Sequence, residues 1–424
     1  MSKLAHVAID EENRTLDGAA AAIFRMALPL GILLLGIGAI WGLVMRPDPA
    51  RFFHAWLVDY AFFLSLSLGA IFFVILHHLV RAGWSVVVRR FAEAVAMNLP
   101  ALIVLAIPVL LGARSLYGWA ESHAAQAAHA GAAAAQAGAA QTGEAAHHAL
   151  SPSKQAWLSP AFFSVRIVLY LAIWSGLAYW FHRLSTEQDR TGNWNLTVRM
   201  ERASGPAMVL FGLALNFAAF DLLMSLDPHW YSTMFGVYYF SGSALGFFAL
   251  LPIVTALVQR SGRLTRAITP EHYHDMGKLV FAFTIFWAYI AFSQYMLIWY
   301  GNIPEETVWY LRRQTGGWDA IGLLLIFGHF VVPFLALLPR FVKRRSELLV
   351  VPAAWMLAMH WIDLHWIVMP ELSGAGPAPT LLEAILFLGM AGVLAGLTAR
   401  RLGSRSLVPE QDPRLTESLQ SESV

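Results

Sequence analysis

Residues 235–258, FGVYYFSGSALGFFALLPIVTALV, run without a single Asp, Glu, Lys, Arg or His. A helix needs roughly 20 apolar residues to cross about 30 Å of hydrocarbon, and this run exceeds that length. Outward from it in both directions, comparable runs recur between polar breaks and predict helices near 21–45, 57–80, 93–113, 160–182, 205–226, 235–258, 276–300, 317–338, 348–369 and 380–399. The expected class is therefore an all-α integral membrane protein of about ten transmembrane helices. Composition agrees: the 424 residues are 58% hydrophobic and 13% charged, with a mean hydropathy of +0.56, more apolar than a soluble domain carries.

Composition also narrows the function. A net charge of +2 gives no basis for a nucleic-acid partner. With no cysteine, the chain has no ligands of its own for iron-sulfur clusters, thiolate metal sites or covalently attached haem. The polar start, with Asp10, Glu11 and Glu12, does not look like a cleavable signal peptide. With ten spans, the N-terminal tail (1–20), the even-numbered loops and the C-terminal tail (401–424) fall on one side. They hold 20 of the 29 Lys and Arg residues against six on the other side and three within helices. Basic loops stay inside, so a multi-pass protein of the bacterial inner membrane with both termini cytoplasmic is expected. The long loop 114–159 then lies outside; its 121–149 stretch is an Ala, Gln, Gly and His tract with His123, His129, His147 and His148, read as a solvated insertion and not a metal site. The C-terminal tail reads as disordered.

Ionisable groups inside spans are candidate functional residues, because hydrocarbon penalises them unless they meet a partner or water. Asp221, Gln294, His360 and Asp363 fall in the outer half of the bilayer, and His329 near the midplane, four residues before Pro333. His360 and Asp363, three apart, share a helix face and could act as a proton-passing pair or as a structural hydrogen bond. His329 and His360 could in principle hold a haem, but one such pair is a weak signal. Asp227 and His229 sit in the turn after Asp221, close to Tyr231, Tyr238 and Tyr239; this edge reads either as a quinol-accepting site or as an interfacial turn. On the inner side His272, His274, Asp275 and Lys278 open a helix near His77 and His78, as a proton mouth or a charged cap.

The stretches AAFDLLMSLDPHWYSTMFGVYYFSGS (218–243) and HYHDMGKLVFAFTIFWAYIAFSQYMLIWYGNIPEET (272–307) resemble the membrane subunit called ActF in alternative complex III, the bacterial quinol:cytochrome c oxidoreductase. That family is related to polysulfide-reductase-type membrane subunits. The resemblance implies two four-helix bundles with flanking helices. It also implies a subunit that is not catalytic alone, in lipid beside a sister quinol-binding membrane subunit and under iron-sulfur and multihaem cytochrome c subunits. Haem and iron-sulfur then belong to those partners, and any quinol lies at or near this chain. A proton-conducting role would fall to Asp221, Asp227, His229, His272, His274, Asp275 and Lys278 within the resembling stretches; His329, His360 and Asp363 join them on depth alone. A secondary transporter using the same buried Asp and His groups, or a passive membrane anchor, is the alternative.

Overall fold

The computed structural model describes residues 13–45, 48–123, 150–372, 376–403 and 405–421. Ten helices are long and apolar enough to span a membrane: α1 (Gly18–Leu43), α2 (Ala50–Leu79), α3 (Val86–Leu111), α4 (Pro160–Thr191), α5 (Asn195–Leu226), α6 (Phe235–Arg260), α7 (Pro270–Gly301), α8 (Trp318–Leu337), α9 (Ser346–Glu371) and α10 (Leu381–Gly403). The chain is an all-α multi-pass membrane protein, as its hydropathy predicts. Most of the Ala/His tract, with His129, His147 and His148, lies outside the described residues.

Packing divides the spans into two four-helix groups. Helices α2 to α5 contact one another, as do α6 to α9, and α2 and α5 pack on α6 to join the groups. Helices α1 and α10 form a flanking pair that leans on α2. The apolar window of α2 is 94% buried and that of α6 78%, against 11% for α1, so the joint between the groups is the core. With no water to drive helices together in lipid, small residues allow the close backbone approach on which packing rests. A Cβ on Gly69 of α2 would lie 2.2 Å from the Ser243 carbonyl oxygen of α6. One on Gly31 of α1 would lie 2.5 Å from the Val393 nitrogen and 2.7 Å from the Gly389 oxygen of α10.

Several helices outrun their apolar stretches. Helix α3 begins at Val86, so Arg89 and Arg90, expected in a loop, are buried helical residues. They are compensated there: Arg90 Nη1 bonds Glu93 Oε2 at 2.8 Å, Arg90 also pairs with Asp189, and Arg89 pairs with Asp412 and, at 3.5 Å, with Glu93. Hydropathy marks the part of a helix that sits in lipid and is blind to turns that pack on other protein.

The C-terminal tail departs from the disordered segment expected. Leu407, Val408 and Leu415 are buried. Leu407 N donates to Arg14 O at 2.8 Å, and Arg14 pairs with Glu410 at 3.1 Å, which brings the two described chain ends together. Ser418 Oγ donates to Trp84 O at 2.6 Å and accepts from Val87 N at 3.3 Å. A polar, Pro-containing tail gives no periodicity from which this docking could be inferred; its anchor on α3 is the buried Arg89, paired with Asp412.

Two outcomes follow from this packing. Gly31→Leu should drive α1 off α10 and lower stability by about 1–3 kcal/mol, the usual cost of overpacking, seen as a reduced Tm in detergent. Burial pushes the Asp412 carboxyl up, but the Arg89 guanidinium more than reverses this and holds it below its ordinary 3.8. A carboxyl depressed in the folded state stabilises above its unfolded value and loses that contribution as pH falls through the folded one. Limited proteolysis across a pH series should therefore find the tail protected at neutral pH and exposed only below about pH 3.8, with Asp412→Asn exposing it at neutral pH.

Candidate functional site

Asp221 lies near the end of α5 away from the termini, 1% exposed, and takes four hydrogen bonds. Arg166 of α4 grips it with Nε to Oδ2 and Nη2 to Oδ1, both 2.8 Å; Tyr170 OH and Trp157 Nε1 each donate at 3.0 Å. The guanidinium also stacks 4.1 Å from the Trp157 ring centroid. Arg166, an arginine within a helix end by its sequence position, is thus the partner of Asp221. This carboxylate has its lone pairs filled and offers none to a quinol head group.

At the following turn, Asp227 Oδ1 accepts from His229 N at 3.1 Å and Oδ2 lies 3.4 Å from Arg312 Nη2. Arg312 also pairs with Glu371, which holds Arg313 at 2.9 Å. His229 is exposed. Gln294 joins the same end: Ser232 Oγ donates to its Oε1 at 3.1 Å, and its Nε2 donates to Tyr310 OH at 3.2 Å. The turn is built as an ionic and hydrogen-bonded clasp between α5, α7 and α9.

On the terminal side His272 closes a capping box at the start of α7, its Nδ1 3.1 Å from Thr269 N and its Nε2 3.1 Å from Ser418 O of the docked tail. Asp275 pairs with Lys278 at 2.8 Å. His274 is buried beside them. His77 and His78 are buried at the end of α2, with the His77 ring 5.5 Å from Trp84, which in turn accepts from Ser418. His272 is thus linked to His77 through Ser418 and Trp84, at a helix start sealed by the tail.

The middle of the second group is different. Helix α8 widens into a π-helical segment, Leu325–Val331. Pro333 is the physical reason, since a proline lacks the N–H that would bond the carbonyl four residues back, that of His329, and its ring crowds that carbonyl. His329 is fully buried, and neither of its ring nitrogens has a hydrogen-bond partner among the described residues. Its ring stands edge-on to Trp287 of α7, centroids 3.8 Å apart at 84°. Trp287 Nε1 donates to Asp363 Oδ2 of α9 at 3.1 Å, and Tyr238 OH of α6 donates to Asp363 Oδ1. Both donors to Asp363 are neutral. Buried groups from α6, α7, α8 and α9 are thus linked as Tyr238, Asp363, Trp287 and His329.

His360 and Asp363 do not bond each other as their shared face had suggested. His360 Nε2 is 2.7 Å from Ser65 Oγ of α2, and its Nδ1 has no partner among the described residues. Its ring lies on the α6 backbone, where a Cβ at Gly242 would come within 2.8 Å and one at Gly246 within 3.0 Å. This imidazole is packed between α2 and α6. Residues three apart on a helix point to the same side, but their contacts depend on which neighbouring helix each meets. Among the described residues no group of three or more His, Asp or Glu side chains is placed to hold a metal ion.

Sequence reasoning missed Asp59, fully buried in α2, and Glu93 and Glu383, equally buried. The signal was present for Asp59, an acid inside an apolar run. Glu93 and Glu383 fell at expected helix starts, where an acid looks ordinary.

Comparison with protein-family models and with curated proteins finds no match for this chain. Its own geometry separates Asp221 from Asp363. Arg166→Ala should destabilise the protein by about 3–5 kcal/mol, because it strands a buried carboxylate. Adding Asp221→Asn should recover most of that loss in the same thermal-unfolding assay.

Proposed function

We propose that the chain is an integral membrane subunit of a bacterial quinol:cytochrome c oxidoreductase of the alternative complex III type. In it, the chain supports quinol oxidation by partner subunits and moves protons by way of Asp363 and His329, which Tyr238 and Trp287 hold in place. The resemblance of 218–243 and 272–307 supports the assignment to that complex, and the two four-helix groups with a flanking pair agree with it. The observation that carries the proton role is His329 with two unpartnered ring nitrogens, fully buried on a π-helical turn against Trp287, whose N–H bonds an Asp held only by neutral donors.

The chemistry follows from those contacts. A carboxyl bonded by a phenol and an indole, without a cation, is favoured as the neutral acid in a medium that penalises charge. When its proton leaves, the same O–H and N–H steady the carboxylate for the next uptake. Imidazole takes a proton on one nitrogen and gives it from the other, which suits a relay. Trp287 positions both groups and is not itself an acid or base. A passive anchor would gain nothing from such an acid, whereas the Arg166–Asp221 ion pair is what structural glue looks like in this fold. In this reading electrons stay in the iron-sulfur and haem partners, and the chain itself carries protons.

A mild-detergent purification of the chain should bring down multihaem cytochrome c and iron-sulfur subunits with quinol:cytochrome c activity. In vesicles holding that complex, Asp363→Asn should cut proton movement per electron by about 10²-fold, the scale of a lost acid–base group, while quinol oxidation with an uncoupler present persists. A lone chain without redox partners, or unchanged proton movement in Asp363→Asn, would contradict the proposal.

A further inference from the structure

Helix α9 presents a second acid site on its other side. Residues 361 and 363 are two apart and so point to nearly opposite faces of a helix. Asp363 meets Tyr238 and Trp287 in the second helix group, and Trp361 reaches back to α2, where its Nε1 donates to Asp59 Oδ1 at 2.7 Å. Asp59 is fully buried, and its Oδ2 has no partner among the described residues. It thus repeats the arrangement of Asp363, an aspartate met by a tryptophan N–H, with one donor fewer.

The surroundings lead outward. Glu383 of α10, also buried, interacts electrostatically with Asp59 and with His365 of α9. Glu383 Oε1 is 3.4 Å from Arg51 Nη2 at the start of α2, and Glu383 Oε2 accepts from Thr380 N. Arg51 is partly exposed, at the end of the bundle away from the termini. His365 stacks on Trp361 with centroids 5.2 Å apart, its Nε2 is 3.2 Å from Pro377 O, and its Nδ1 has no partner among the described residues. Arg51 Nε and Thr380 Oγ1 are likewise buried without partners. Further along the same helix, Ser65 meets His360 of α9 and Ala61 O accepts from Tyr239 of α6.

We propose that Asp59 is a proton-holding carboxyl that exchanges its proton with the end of the bundle away from the termini, by way of Glu383 and Arg51. In the transfer the O–H bond at Asp59 Oδ2 breaks, an entering water takes that proton and gives one of its own to the Glu383 carboxylate, where the new O–H bond forms. Asp59 is left as a carboxylate held by the Trp361 N–H. Glu383, now neutral, loosens from Arg51 and gives its proton to water that enters beside this partly exposed arginine; no electron moves. The site shares with the proposed function only the premise that protons enter this bundle. It stands apart from the identity of any redox partner, and its test reads Asp59 alone.

The test is infrared spectroscopy of the full chain in lipid, in its complex where one co-purifies, on passing from H2O to D2O. A carboxylic-acid C=O band that shifts in D2O should be lost in Asp59→Asn and should shift more slowly in Glu383→Gln. Should Asp59→Asn fail to fold, Trp361→Phe should displace the same band by removing its hydrogen bond. The proposal is overturned if Asp59→Asn removes no acid band, or removes one that does not respond to D2O, or if Trp361→Phe leaves the spectrum unchanged. Because Asp363→Asn should leave this band in place, failure here and failure of the proton line at Asp363 give different results.

Discussion

Hydrocarbon gives a carboxylate nothing to bond, and the way each buried acid is met governs both the stability and the chemistry of this bundle. Two kinds of answer are visible. Asp221, Glu93, Asp412 and Glu371 are met by arginines, in ion pairs that tie α4 to α5, α3 to the tail, and the segment after α7 to α9. Asp59 and Asp363 are met by tryptophan N–H groups, with a tyrosine added at Asp363. An acid beside an arginine is fixed as an ion and acts as a strut. An acid beside an indole has a hydrogen bond but no counter-ion.

The second kind clusters around one helix. Helix α9 carries His360, Trp361 and Asp363 in its middle turns and faces α2 on one side and the second helix group on the other. The fold makes room for this with glycines on α6, where His360 rests on backbone, and with the proline-widened turn of α8 that sets His329 against Trp287. Such π-turns cost backbone hydrogen bonding and are found mostly where a side chain must be aimed. The ion pairs at both ends of the bundle frame this softer middle.

The spans were legible in the sequence because a period-free apolar run of sufficient length has one outcome in lipid. Their ends were not, since Arg89 and Arg90 continue a helix only because Glu93, Asp189 and Asp412 arrive from elsewhere to receive them. The candidate residues were partly legible. Depth singled out His329, His360 and Asp363, all of which are buried, but it paired His360 with Asp363 where the actual partners are Ser65, Tyr238 and Trp287. Partners across helices depend on rotation and crossing, which no spacing rule within one helix contains. Asp59 was passed over because attention to pairs along the chain favours acids with a neighbouring histidine, and its partner lies 302 residues away.

A high-resolution density map of the protein in lipid bears most directly on the division between acids met by arginine and acids met by indole. The account predicts ordered water at the ring nitrogens of His329 and at Asp59 Oδ2, and none at Asp221, whose donors are all protein. Dry, close-packed side chains around His329 and Asp59, with water reaching Asp221 instead, would contradict it.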